Sequence, residues 1–203
     1  LGDVYKRQVI GAIPQDLKFR GEESTAEIGD NNLIRENVTI NRGTAAKGKT
    51  CVGSGNLLME SVHVAHDAFV GNDCIIGNGT KLAGEIIIDD HAIISANVLM
   101  HQFCRVGGYT MVGGGTRFSQ DIPPYTICAR EPVAYCGLNL VGLRRRGFSN
   151  ELIENIHNAY RIIYQGGVPL NEALQKVREE VPASPEINYI IEFIENSKRG
   201  FVH

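Results

Sequence analysis

The chain has 203 residues, 23 of them Gly and none Trp, with 20 Lys and Arg against 23 Asp and Glu for a net charge of −3. That length suits one elongated domain with a smaller second one, no run of about 18 apolar residues exists to span a membrane, and the charge balance gives no ground to expect a nucleic-acid partner. Five scattered cysteines (Cys51, Cys74, Cys104, Cys128 and Cys136) form no C-x-x-C pair and no secretory signal is read, so a reducing cytoplasm is the expected setting.

The residues Leu1–Gln8 show no repeat, and the natural N-terminus is expected to be missing, with the first residues foreign. Periodicity begins at Ile10. Ile10, Ile28, Ile34, Ile40 and Val52 share one six-residue frame, so the 18 residues from Ile10 to Ile28 look like one coil's worth of chain. Yet AIPQDLKFRGEESTAE lacks the pattern and reads as a loop leaving a solenoid wall, as does NRGTAAKGKT at 41–50. Such loops are where binding residues tend to sit.

From 52 to 123 the repeat is unbroken. Twelve consecutive hexads open on Val52, Leu58, Val64, Val70, Ile76, Leu82, Ile88, Ile94, Met100, Val106, Val112 and Phe118. Their fifth positions are mostly small or β-branched, and several second positions are Gly. A short fixed period marks a solenoid, and hexads mark the parallel β-helix. Three hexads make one triangular coil of 18 residues, with the first and fifth positions inward and coils stacked about 4.8 Å apart. The second-position glycines are expected to supply the unusual turn angles. The expected fold class is therefore a β-solenoid with a small α-helical domain after it.

After Phe118 the pattern stops, and 124–148 reads as an extended, Pro-rich connector ending in Arg144, Arg145 and Arg146. Ser149 looks like an N-cap ahead of Leu152, Ile153, Ile156, Ala159, Tyr160 and Ile163 at helical spacing. Two more helices are expected, over 169–181 and 185–198. The expected domains are 9–123, 124–148 and 149–203.

Residues 18 apart stack in such a coil, which puts His66, Gly84 and Gln102 in one column, Asp67 under Glu85 and His63 under Lys81. His63, His66, Asp67, Gly84, Glu85, His101 and Gln102 then gather on one edge. Single polar residues on a solenoid are usually just solvated; His91 is read as structural, in an ordinary turn away from this column, and His157 as lying on a helix surface. The cluster is different: an imidazole beside a carboxylate, with a Gly amide one coil away, has the parts for acyl transfer. The three arginines offer forked donors suited to phosphate, or simply a solvated basic turn.

Taken in order, PQDLKF (14–19), HVAHD (63–67), LAGE (82–85), MHQFC (100–104), SQDIPPY (119–125) and GLNLVGLRRRGFS (137–149) resemble the UDP-N-acetylglucosamine acyltransferases of lipid A biosynthesis, over about residues 9–203. The resemblance implies a left-handed helix and a cytosolic homotrimer with sites between neighbouring subunits. The reaction it implies moves a 3-hydroxyacyl group from acyl carrier protein to the 3-position of UDP-N-acetylglucosamine, with no further cofactor and no metal. It makes His66 the general base, with Asp67 as its orienter, and the Gly84 amide the oxyanion donor. Gln15, Asp16, Lys18, His63, His101 and Gln102 would line the sugar and acyl pocket. Asn139, Arg145 and Arg146 would hold the diphosphate, and Gly114 would leave room for the end of the acyl tail. Glu85 is counted with the substrate-binding residues, although many relatives carry His there, and the family has further coils before Ile10. Three alternatives compete with it. An acetyl-CoA-dependent acetyltransferase is the nearest rival, against which the basic helical tail favours a carrier-protein donor. A zinc carbonic anhydrase would use His63, His66 and His101, but Gly84, Gln102 and the three arginines have no use in it. A non-catalytic scaffold predicts no clustering of histidines on one edge.

Overall fold

The computed structural model describes residues 7–203. The reading of the first residues as foreign falls, for residues 1–6, outside the described part.

Along the repeat, the first and fifth residues of each hexad are buried: Val64, Val70, Ile76, Leu82, Ile88 and Ile94 are each 0 % exposed, as are Val62, Cys74, Ala92 and Val98. Burying one such aliphatic side chain is worth about 1.5–3 kcal/mol, so the ordered stack of aliphatics holds the wall together. Two-residue strands repeat every third element into three parallel sheets, making the three faces of a left-handed parallel β-helix. The first face carries His63–Val64, Lys81–Leu82 and Leu99–Met100, the second Phe69–Val70, Ile87–Ile88 and Arg105–Val106, and the third Ile75–Ile76, Ile93–Ile94 and Met111–Val112. The 18-residue stacking is direct, with His63 paired to Lys81 and Ile87 to Arg105.

The glycines serve a purpose different from the one expected. Left-handed backbone falls at the fourth position of the hexad, at Gly55 (φ 72°), Ser61, Asp67, Asp73, Glu85, His91 and Asn97. The second-position glycines have ordinary angles and are needed for room instead. A Cβ on Gly53 would stand 2.5 Å from the Gly71 carbonyl oxygen, and one on Gly77 2.5 Å from the Ala96 nitrogen. The strands turn at the fourth position while the coils press closest at the second.

The two irregular stretches are excursions from the wall. Ile10 does not stack on Ile28; it pairs with Ile40 on the first face, while Ile28 pairs with Val52 on the second. The 18 residues between are one side of the prism with a loop inserted, not a coil. The second excursion separates Asn41 from Lys49. The loops are tied to each other: the Ala45 N–H donates to Glu22 Oε1 (2.9 Å) and the Gly43 N–H to the Thr25 carbonyl (3.0 Å).

The segment expected as an extended connector is structured. Thr126–Ala129 continues the third face parallel to Met111–Val112, and Ala134–Leu138 folds back antiparallel on it. Helices α1 (Leu140–Arg145), α2 (Asn150–Gln165), α3 (Leu170–Glu180) and α4 (Pro185–Glu195) follow. Ser149 caps α2 as expected, accepting from the Leu152 N–H. The helices bury Ile156, Tyr160, Val177, Ile190 and Phe193 in a second core. The C-terminal Val202 packs into the solenoid core, closing the end of the stack.

Candidate active site

The prism has three corners, and each carries part of the expected site. The corner between the first and second faces holds the histidine cluster. His66 sits at a buried turn, and its ring lies against Gly84 so closely that a Cβ there would be 2.5 Å from His66 Cε1. His66 Nδ1 is 2.9 Å from Asp67 Oδ2. An ionised carboxylate only accepts, so Nδ1 carries the proton and Nε2 is left as an acceptor. On that other side Asp16 Oδ2 stands 3.9 Å from Nε2, delivered by the first excursion. Among the described residues the Gly84 N–H donates no hydrogen bond, so it is free to face a developing oxyanion.

Asp67 is 1 % exposed. Burial pushes its pKa up, but the Thr44 hydroxyl, the His66 ring and the Thr44 N–H together outweigh that and hold it below 3.8. Thr44 reaches both carboxylate oxygens, its N–H donating to Oδ1 (2.9 Å) and its hydroxyl to Oδ2 (2.6 Å). The Asp67 N–H donates to Thr50 Oγ1 (2.8 Å), which fixes the left-handed turn. Sequence reasoning missed Thr44 and Thr50. Thr44 lies in the excursion after Asn41, where no stacking rule applies. Thr50 lies on the strand Lys49–Val52, which stacks on Phe69–Val70, at an inward position of the six-residue frame; taking the whole of 41–50 as irregular hides it.

His63, on the first face, is 2.7 Å from Thr39 Oγ1. Burial, then the Lys81 ammonium, then His66 depress its pKa below 6.5. His101 is exposed and bonds the Gln102 carbonyl through Nδ1 (3.0 Å). Gln102 is half-buried above Gly84. The Glu85 N–H donates to the His66 carbonyl (3.0 Å), and its side chain enters a groove of about 370 Å³ with Lys47, Phe103, Lys198 and Arg199. Gln15 and Lys18 are exposed on the first excursion, where the Lys18 N–H caps the Asp16 carboxylate (2.9 Å).

The remaining expected residues lie elsewhere on the chain. Gly114 is exposed at the corner between the third and first faces. Asn139, Arg145 and Arg146 stand by the corner between the second and third. Asn139 is buried and caps α1, accepting from the Gly142 N–H and donating to the Tyr109 carbonyl (2.9 Å). Arg146 donates to His91 Nδ1 (2.9 Å) and lies over the Tyr109 ring. His91 was expected to be an ordinary turn residue. It does sit at a turn, but it also bonds Arg146 and its ring lies tilted against that of Tyr109 with centroids 4.7 Å apart, because residues 91 and 109 are 18 apart and share a corner. Arg145 is exposed. Among the described residues no three His, Cys, Asp or Glu side chains converge as a metal site would require: Nδ1 of His63, His66 and His101 each faces a different protein partner.

Known proteins share this fold. Residues 121–202 match a family model described as UDP N-acetylglucosamine O-acyltransferase, domain 2. The fold superposes on a UDP-N-acetylglucosamine acyltransferase from Bacteroides fragilis with a TM-score of 0.95 and 75% identity, covering 97% of this chain and 77% of that one. The enzyme of the same name from Francisella novicida gives 0.93 at 38% identity, covering 97% and 72%. The Arabidopsis enzyme gives 0.91 at 34%, again covering 97% and 72%.

Proposed function

The chain belongs to the UDP-N-acetylglucosamine acyltransferase family, which catalyses the first step of lipid A biosynthesis, and on that premise we propose how its own residues carry the transfer. The donor in this reading is a 3-hydroxyacyl thioester on the phosphopantetheine arm of acyl carrier protein, and the acceptor is the 3-position of UDP-N-acetylglucosamine. Nε2 of His66 takes the proton of the acceptor hydroxyl as its oxygen attacks the thioester carbonyl. The carbonyl oxygen becomes an oxyanion facing the Gly84 N–H. The intermediate collapses, the C–S bond breaks, and the His66 imidazolium returns its proton to the departing thiolate. Asp67 holds the ring in the required tautomer. The observation that carries this reading is His66, with Nδ1 committed to Asp67 and Nε2 open beside a free Gly84 amide.

Asp16, Gln15, Lys18 and His63 surround the acceptor sugar in this scheme. The first face supports the acyl placement: a cavity of about 340 Å³ with Leu99, His101 and Phe118 in its wall lies on the path from His101 towards Gly114. Lys47, Lys198 and Arg199 in the groove beside Glu85 supply cations for a donor phosphate or an acidic carrier.

Arg145 and Arg146 project from a different corner from His66, so one chain does not bring diphosphate ligands and base together. A homotrimer with sites between subunits resolves this, the neighbour's arginines and His101 entering the cleft. The outward positions of the third face support a contact of that kind, being apolar throughout: Leu33, Leu57, Ile75, Ile93, Met111 and Ile127. Among the described residues no helix is long and apolar enough to cross a membrane, and with every cysteine free the reading places the enzyme in the cytoplasm.

The test is His66→Ala. It should lower kcat by about 10²–10⁴-fold with little change in KM for the sugar nucleotide, the usual worth of a positioned general base. Product mass from UDP-N-acetylglucosamine and a panel of 3-hydroxyacyl carrier proteins fixes donor and acceptor. Wild-type turnover in His66→Ala would remove the base assignment.

A further inference from the structure

We propose that Thr44 is a positioning residue for this reaction, setting the tautomer and aim of His66 through Asp67. The inference rests on His66 as the base.

A histidine that must accept a proton at Nε2 has to keep its own proton on Nδ1. The two tautomers of a free imidazole are close in energy, so a directed acceptor at Nδ1 has to decide between them. Asp67 is that acceptor, but a carboxylate swivels about its last bond and offers several lone pairs. Thr44 removes that freedom. Its N–H holds Oδ1 and its hydroxyl holds Oδ2, the same oxygen that accepts from His66. Two donors from one residue fix the carboxylate plane. The hydroxyl is itself oriented, since Thr44 Oγ1 accepts from the Ala46 N–H at 3.2 Å and so directs its proton to Asp67.

The same bonds keep Asp67 ionised in a place where only 1 % of it is exposed. An unpartnered buried carboxylate would take up a proton and could then donate to Nδ1, which would stabilise the wrong tautomer. Thr44 is delivered by the second excursion, which breaks the hexad frame between Asn41 and Lys49. The insertion therefore does a job that the regular wall cannot: a fully regular coil keeps to the surface of the prism, whereas this loop folds over the corner that bears His66.

Thr44→Val keeps the shape and the backbone N–H and removes only the hydroxyl; Thr44→Ser keeps the hydroxyl. In Thr44→Val, kcat should fall about 10-fold, the lower end for a hydrogen bond to a charged group, with KM for UDP-N-acetylglucosamine unchanged. Thr44→Ser should restore kcat. In Asp67→Asn the further change Thr44→Val should cost nothing more, because Thr44 acts through the carboxylate. Imidazole ¹⁵N shifts of His66, assigned against His66→Ala, should show the Nδ1–H form in the wild type and a mixture in Thr44→Val. An unchanged tautomer, additive losses, or a KM effect with kcat intact would each overturn the proposal. If His66→Ala instead keeps wild-type turnover, the base assignment fails, and the ¹⁵N tautomer still reports separately on what Thr44 does to the ring.

Discussion

His63 shows how one residue's surroundings become a measurable pH dependence. It is half-buried on the first face, with Thr39 on one side and Lys81 stacked in the next coil. Burial first, then the Lys81 ammonium and the neighbouring His66, hold its folded pKa below 6.5. The unfolded chain therefore binds the extra proton first as pH falls. The stabilisation from neutral His63 is complete above that value and is lost as pH drops from it towards the folded pKa. His63→Gln removes this contribution, so the fall in Tm between about pH 7 and pH 5 should be shallower than in the wild type. Thermal melts across that range check it; parallel curves for the two proteins would show that His63 is not desolvated as described. Asp67 is the opposite case. Its folded pKa is depressed, so what it contributes is present above 3.8 and is lost only in strong acid.

At the scale of elements, the junction of solenoid and helices depends on Tyr189 of α4. Its hydroxyl donates to Asp89 Oδ2 and accepts from the Gly108 N–H at 2.8 Å. Asp89 lies between the wall and α4, where burial raises its pKa against the lowering effects of Tyr189 and Arg105. Arg105 in turn lies over the Phe193 ring, 4.5 Å from its centroid. Tyr189→Phe leaves a half-buried carboxylate and the buried Gly108 amide without this partner. It should cost about 1–3 kcal/mol in urea unfolding. The loss should be larger at neutral pH than in the acid range where Asp89 is protonated, since burial penalises the ionised form. A Tyr189→Phe protein as stable as the wild type would mean that the helices are held by apolar packing alone.

For the whole molecule, the question is why the site is divided. In the proposed reading, the column at one corner supplies the base and the oxyanion donor, and the corner near α1 supplies cations. Because the proposed trimer places unlike corners together, a defect in each can be complemented. His66→Ala and the double variant Arg145→Ala/Arg146→Ala should each be impaired when purified alone. Co-expressed at equal levels and assembled together, they should give about a quarter of the sites intact, since each site takes one corner from each of two neighbours in a closed ring. Recovery of activity on mixing, with light scattering showing trimers, checks it. No recovery in verified mixed trimers would place base and arginines in the same chain's site.

The sequence by itself determined the wall and most of the column. A period of six with apolar first positions leaves one way to bury the aliphatics, and the 18-residue stacking that follows puts His66 beside Gly84 and pairs His63 with Lys81. The same arithmetic could have placed His91 on Tyr109, had both been taken as one column. Only the tertiary structure showed that the second-position glycines provide room and that the fourth positions carry the strained turns. It alone brought Thr44 to Asp67 across 23 residues of chain, and it set Asp16, which the resemblance places in the same pocket, 3.9 Å from His66 Nε2. The reason is physical. A strand position in a solenoid is fixed by its neighbour one coil away, so counting suffices. A loop that leaves the wall is fixed by side-chain hydrogen bonds and by the other loop it rests on, and no period encodes those.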